Sequence, residues 1–271
     1  YHTIDPIPDE IATGDEQMID LHTHILPGLD DGSKNMTDSL AMARVAQDDG
    51  IHTIVATPHV LQGVFDNDKN KILLAVTQLN QTLQEQNIAV DILPGAEYYV
   101  EADIPLKLSQ GELLTINDNG RYLLVELPSA FIPEYTAQVL YEIQLQGVTP
   151  IIAHPERNAG FTRRPDILQE MISRGVLAQV TSASITGLFG KKVKRTAFNF
   201  LRRGLVHLVS SDAHSSMGRA PLLNQAQKEI EKYLGSDIAQ LLVVQNPCSI
   251  IQGDSIEPTA ASSSSRWKLF R

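Results

Sequence analysis

The sequence predicts an α/β domain built on a parallel sheet, and three observations carry that prediction. Short runs of β-branched and apolar residues recur near 18–23, 51–57, 90–96, 121–127, 148–153, 177–182 and 206–211. Stretches with helical spacing separate them, near 36–49, 68–87, 134–146, 164–174, 190–203 and 219–234. The 271 residues, 42% hydrophobic, are enough for one sizeable core. Strands alternating with helices imply right-handed crossovers and parallel pairing. Seven strands over this length fit a closed barrel of the TIM type, with a doubly wound open sheet as the alternative.

Local signals support the elements in order. After the Gly32-Ser33 turn, either Thr37 or Asp38 is placed to cap the first helix. Gly50, Gly147, Gly175 and Gly204 each stand just past a helical run, where a left-handed residue ends a helix. The 97–120 connection is the weak point, because it carries little helical periodicity. No internal repeat breaks the pattern, so the expected organisation is one barrel domain over 18–257. Met18 reads as the natural start, with 1–17 either an expression remnant or a native arm of little order. The Ser-rich tail, 258–271, carries the only Trp and reads as a loose extension or docking segment.

Composition excludes several function classes. The 22 Lys+Arg against 32 Asp+Glu leave a net charge of −10, which argues against a general nucleic-acid binder. A local basic pocket stays compatible with that total. The run Lys191-Lys192-Val193-Lys194-Arg195 reads as the solvated face of a helix, with a docking patch as the alternative. No apolar run approaches the roughly 20 residues needed to cross a bilayer, and 1–17 lacks a charged-then-apolar leader pattern. Cys248 stands alone, which suits a reducing compartment or indifference to redox state. Asp254 sits where the C-x5-R loop of a cysteine phosphatase would need arginine.

The chemistry concentrates at strand ends. Asp20, His22 and His24 form Asp-Leu-His-Thr-His, and alternation along a strand sends all three to one face. Two inward imidazoles beside a carboxylate are costly to bury unless a metal, or a full set of core hydrogen bonds, satisfies them. His59, His154 and His214 also follow strand runs, on the face that carries active sites in parallel barrels. His52 and His207 fall at strand starts and are assigned structural or surface roles, while His2 belongs to the N-terminal segment. Glu97, Glu126, Asp212 and the pair Asp30-Asp31 occupy the same ends as the five histidines. That set exceeds what one tetrahedral ion uses, so more than one metal is expected. Imidazole and carboxylate without thiolate suit Mn, Fe, Zn or Mg. Arg157 and Arg219 offer guanidinium forks that match phosphate oxygens, pointing to phosphoester hydrolysis, though a solvated role fits each alone equally well.

The ordered segments MIDLHTHILPGLDDGS, ATPH, LPGAEYY, VELP, IIAHPERN and SSDAHS, from Met18 to about residue 250, resemble the PHP (polymerase and histidinol phosphatase) superfamily. The nearest resemblance is to bacterial PHP-type protein-tyrosine phosphatases of capsule and exopolysaccharide operons. Asp-x-His-x-His alone is moderately specific; the ordered set is highly so. The resemblance implies a distorted (β/α)7 barrel holding three divalent ions, often Mn. Carried over by position, it implies His22, His24, Glu97 and Asp212 as ligands of a first ion. Glu97, Glu126 and His154 would surround a second, and Asp31, His59 and His214 a third. It implies phosphate contacts for Arg157 and Arg219, a ligand-orienting role for Asp20 and a bystander's place for Asp30. The activity implied is attack of a metal-bridged hydroxide on phosphotyrosine, in the cytoplasm, on the tail of a bacterial tyrosine autokinase that regulates polysaccharide synthesis. Tyrosinate leaves comparatively well, since its conjugate acid has a pKa near 10, and His59 or His214 could still assist as acid. Competing readings are a histidinol-phosphate phosphatase, a noncatalytic kinase-binding regulator, a PHP nuclease and an amidohydrolase.

Overall fold

The computed structural model describes residues 18–256, so the expectations for 1–17 and 258–271 lie outside the described residues. The first strand, β1 (Met18–Thr23), is buried along its whole length. The chain continues through α1 (Met36–Asp49), β2 (Ile51–Ala56), β3 (His59–Val60), α2 (Lys69–Glu85), β4 (Asp91–Pro94) and β5 (Glu97–Tyr99). Next come α3 (Ile104–Ser109), a 3-10 turn at Ile116–Asp118, β6 (Tyr122–Glu126), α4 (Thr136–Leu145) and β7 (Thr149–Ala153). A second 3-10 turn, Pro155–Arg157, leads into α5 (Ala159–Arg163), α6 (Pro165–Ser173), β8 (Leu177–Thr181), α7 (Ser182–Thr186) and α8 (Lys191–Arg202). The last part holds β9 (Leu208–Ser210), α9 (Asn224–Leu234), α10 (Ser236–Gln240), a π-helical turn at Leu241–Gln245 and α11 (Asn246–Gln252).

Every strand pairing is parallel, in the orders β1-β2-β4 and β3-β5-β6-β7-β8-β9. All seven expected strands occur, and two of them are split: 51–57 continues past Pro58 into β3, and 90–96 past Gly95 into β5. Beyond β9, the Asp212 N–H donates to the His22 carbonyl and the His24 N–H to the Ala213 carbonyl, each at 2.8 Å. Thr23 and Ala213 form a parallel bridge there.

The strands sort their side chains into two apolar clusters. Ile54, Leu123, Val125, Ile152, Ala178, Val180 and Val209 pack with the helices. Their neighbours Val55, Leu124, Ile151, Leu177 and Leu208 form a second cluster with Ile19 and Leu21, joined by Ile250 and Ile251 of α11. Such strict alternation is what strands covered on both faces require. β1 keeps the alternation, Ile19 and Leu21 on one side and Met18 on the other, while its register on β2 shifts between Asp20 and Thr23.

Three local expectations need correction. The cap of α1 is Asn35, whose side chain accepts from the Asp38 N–H at 3.0 Å, because Thr37 and Asp38 already lie in the first turn. Gly50, at φ 89°, ends α1 as expected. The 97–120 connection holds β5 and the six-residue α3, too short to show a period. The helix expected near 219–234 begins only at Asn224, since the preceding segment folds back through the His214 N–H to the Arg219 carbonyl at 2.9 Å. Its first turn is capped from a distant element: Asp49 Oδ2 accepts from the N–H groups of Leu223 and Asn224 at 2.6 and 2.9 Å.

Replacing that cap, Asp49→Ala, is expected to cost about 1 kcal/mol and to lower Tm by roughly 2–4 °C in thermal unfolding. An unchanged Tm would mean that water caps α9 equally well.

Candidate metal centre

The five strand-end histidines converge. The His24 ring lies 3.9 Å from that of His214, 4.5 Å from His59 and 5.3 Å from His22, centroid to centroid, and His22 stands 5.7 Å from His154. Glu97, at the start of β5, reaches into their midst. Its Oε2 lies 3.1 Å from His22 Nε2, 3.1 Å from His59 Nδ1 and 3.3 Å from His24 Nε2, and its Oε1 lies 3.0 Å from His154 Nε2. Asp212 Oδ1 sits 3.4 and 3.5 Å from the Nε2 atoms of His24 and His22. Asp31 Oδ1 approaches His214 Nε2 at 3.4 Å and His59 Nε2 at 3.7 Å. Glu126 spans His59 and His154, at 3.7 Å from each. All nine expected ligands are therefore brought together.

Their hydrogen bonding shows what the cluster suits. His22 Nδ1 faces Gln179 Oε1 at 3.1 Å, and the His154 N–H, 3.4 Å away, also donates to that oxygen. His24 Nδ1 faces Asp30 Oδ2 at 2.6 Å. Both acceptors call for an N–H at Nδ1, which leaves the Nε2 lone pairs of two neutral rings 3.2 Å apart. Facing lone pairs repel unless a cation lies between them. Metal–nitrogen bonds of about 2.0–2.1 Å in a tetrahedral site set ligand nitrogens roughly 3.3 Å apart. Glu97 Oε2 is buried without a hydrogen bond although three imidazoles surround it. A buried carboxylate oxygen left in that condition is costly, and a divalent cation satisfies it.

Charge follows the same geometry. Burial opposes ionisation of His22 and His24, yet Glu97 and Asp212, with Asp30 beside His24, hold both above the usual imidazole range. Burial would raise Glu97 and Asp212, and the facing imidazoles hold both well below the usual carboxylate range. Glu126 moves up, through burial and repulsion from Glu97. His214 moves down, chiefly through burial.

Several holders of these groups escaped the sequence. Asp30 is no bystander: besides His24 Nδ1, its carboxylate accepts from the N–H groups of His59 and Gly32, each at 2.9 Å. The two adjacent acids thus divide their tasks, Asp31 facing the imidazoles of His59 and His214. Gly32 is required because a Cβ there would lie 2.2 Å from the His24 carbonyl oxygen. Asp20 does not join the converging imidazoles. It accepts from the Ser211 N–H at 2.9 Å and from the Ser211 hydroxyl, so it holds the loop that presents Asp212. The one signal of Gln179 in the sequence is a polar residue inside an otherwise apolar strand. His154 and Asp212 both adopt left-handed backbone, φ 32° and 53°, strain of order 1–3 kcal/mol each at the points that aim two of the nine donors. His207 is buried away from the cluster, its Nδ1 accepting from the Ala178 N–H at 3.0 Å, and burial lowers its pKa to about 4.

Both arginines meet at one carboxylate oxygen. Arg157 Nη1 and Arg219 Nη2 lie 2.5 and 2.6 Å from Asp212 Oδ2, each side chain still about 30% exposed. The Phe189 ring supports them, 5.1 Å from Arg157 Cζ and 6.0 Å from Arg219 Cζ, within cation–π range. Nothing local marked Phe189, which lies in the loop between α7 and α8.

The family model for capsular polysaccharide synthesis, CpsB/CapC, matches residues 18–252. The chain belongs to the CpsB/CapC family. It is similar to the tyrosine-protein phosphatase YwqE of Bacillus subtilis, 37% identical over 253 residues that cover 93% of this chain and 99% of that one. It is also 35% identical to the tyrosine-protein phosphatase CpsB of Streptococcus pneumoniae over 244 residues, covering 88% and 100%. A solved structure from the work on YwqE and CpsB, described as unique metal-dependent tyrosine phosphatases, superposes with a TM-score of 0.85. It is 38% identical and covers 88% of this chain and 96% of the other. The CpsB/CapC match spans every residue of the cluster, from His22 to Arg219.

Because His22 and His24 titrate above the usual imidazole range, Mn2+ must displace protons from them near neutrality. Calorimetric titration in buffers of different ionisation enthalpy should show proton release at pH 7 and an affinity that rises from pH 6 to 8; pH-independent binding would contradict the geometry. Asp30→Asn should weaken Mn2+ binding about 10–100-fold.

Proposed function

We propose that this CpsB/CapC chain is a metal-dependent protein-tyrosine phosphatase whose nine clustered residues hold three divalent ions, most readily Mn2+, with Fe, Zn or Mg as substitutes. Its proposed substrate is the phosphotyrosine tail of a bacterial tyrosine autokinase governing capsule or exopolysaccharide synthesis. The observation that carries the reading is the meeting of two arginines on Asp212, at the edge of a cluster of nine nitrogen and carboxylate donors. The donors fall into four overlapping groups: His24, Asp31, His59 and His214; His22, His24 and Asp212; His22, Glu97 and His154; and His59, Glu97 and Glu126. Relative to the sets implied by resemblance, His22, His24 and His59 each reach a second group, and Glu97 is shared between two groups, as the resemblance implies. A distorted (β/α)7 barrel belongs to the same proposal, supported by the bridge between Thr23 and Ala213 and the hydrogen bonds beside it.

Bound divalent ions would supply an activated water and positive charge facing the phosphoryl oxygens. The chain's own residues do the rest. Arg157 and Arg219 each keep N–H groups beyond those given to Asp212, placed to take nonbridging oxygens and to stabilise charge as the ester bond breaks. Phe189 limits the swing of both guanidinium groups. His214, lowered by burial, stays neutral near pH 7 and is suited to ligation rather than proton donation. A departing tyrosinate asks little of a general acid, its conjugate acid having a pKa near 10. Among the described residues no helix is long and apolar enough to cross a membrane. A cytoplasmic location is proposed with the substrate, supported by the free Cys248.

Metal-stripped protein should be inactive on a phosphotyrosine peptide and regain turnover with Mn2+. His22→Ala should lose nearly all activity, and Arg157→Ala, compared at matched Mn2+ content, should lose about 10²–10³-fold in kcat. Full metal occupancy without turnover would favour a noncatalytic regulator, and faster hydrolysis of histidinol phosphate would redirect the assignment to a small phosphomonoester.

A further inference from the structure

The basic run at 191–195 divides in the fold. Lys194 turns to Glu229, 3.0 Å away, while Lys191, Lys192 and Arg195 stay exposed. Lys192 borders a cavity of about 240 Å³ that also takes in Arg157 and Arg163, three cations from three separate elements: α8, the Pro155–Arg157 turn and α5. Among the described residues, neither Arg163 nor Lys192 lies within ion-pair distance of a carboxylate. The one acid in the lining, Glu156, is buried, and its Oε1 accepts from the Thr181 N–H, the Thr181 hydroxyl and the Ser184 hydroxyl at 3.1, 3.1 and 2.6 Å. The cavity's field is therefore cationic within a chain of net charge −10. A second cavity, of about 310 Å³ beside β3 and β5, is bordered by three acids, Asp66, Asp68 and Glu101, and one cation, Lys107.

We infer that the groove between α5 and α8 is a subsite for an anionic side chain flanking the phosphotyrosine, a carboxylate or a second phosphate one or two residues away. The inference rests on the phosphatase reading, because Arg157 belongs both to the groove and to the arginine pair on Asp212. An extended peptide advances about 3.3 Å per residue, so a phosphotyrosine seated at Arg157 brings its near neighbours to Arg163 and Lys192. Such contacts, at a partly exposed rim, act on encounter and selectivity and weaken with salt.

The test uses Mn2+-loaded protein and peptides carrying one phosphotyrosine, with glutamate, phosphoserine, alanine or lysine placed on either the N-terminal or the C-terminal side. The groove predicts that glutamate on one of the two sides raises kcat/KM about three- to tenfold over alanine at low salt, with the gain shrinking in 0.5 M NaCl. Phosphoserine on that side should do the same if charge rather than carboxylate shape is read, and a gain with glutamate alone would assign the subsite to carboxylates. In the double variant Arg163→Glu, Lys192→Glu the ratio between acidic and lysine peptides should invert. Equal rates for all flanks would overturn the inference. So would a preference for lysine, which the net charge alone predicts, or an acidic preference that survives the double reversal. Hydrolysis of p-nitrophenyl phosphate, which has no flank, reports on the centre by itself; its absence in the unaltered protein would remove the phosphatase reading, and this inference with it.

Discussion

Glu97 puts one carboxylate where four imidazoles can reach it, three of them around a single buried oxygen. Removed from water, that oxygen needs positive charge, and the rings around it need their lone pairs used. Protons on His22 and His24 meet these requirements only by charging two buried rings, which burial opposes. His22 and His24 have already committed Nδ1 to Gln179 and Asp30, so their remaining nitrogens face each other and the carboxylate. A divalent cation is the simplest species that answers every one of these demands, and the rest of the site is organised to hold that arrangement.

The scaffold supplies the means. Parallel strands deliver their C-terminal ends to one side, where each can contribute a donor without disturbing the ladder. Delivery still costs strain: His154 and Asp212 take left-handed backbone just where the chain leaves β7 and β9. Asp20 helps to hold the second of these bends by binding Ser211 from across the structure. Asp212 then serves two neighbourhoods, presenting Oδ1 to His22 and His24 and Oδ2 to both arginines. The cluster of donors and the two arginines are therefore mechanically one unit.

Charge at the mouth is unevenly distributed. Lys192, Arg163 and Arg157 outnumber Glu156 around one cavity, while Asp66, Asp68 and Glu101 outnumber Lys107 around another near β3 and β5. A net charge of −10 hides this contrast, because long-range field and local subsite are separate quantities.

The amino-acid sequence sufficed for the parallel α/β class, the seven strand runs, and the gathering at strand ends of five histidines with Glu97, Glu126, Asp212 and the Asp30-Asp31 pair. Each of these follows from short-range pattern: alternation, helical spacing and the position of a residue at the end of a run. Asp30 and Asp31 show where that legibility ends. They are adjacent and chemically identical, yet one binds His24 Nδ1 and the backbone while the other faces His59 and His214. Gln179 reaches His22 across 157 positions, Asp49 caps a helix 175 positions on, and Phe189 underlies two arginines from separate loops. These pairings exist only in the folded chain, because a hydrogen bond or a ring contact depends on distances of a few ångströms between segments whose spacing along the chain carries no such information.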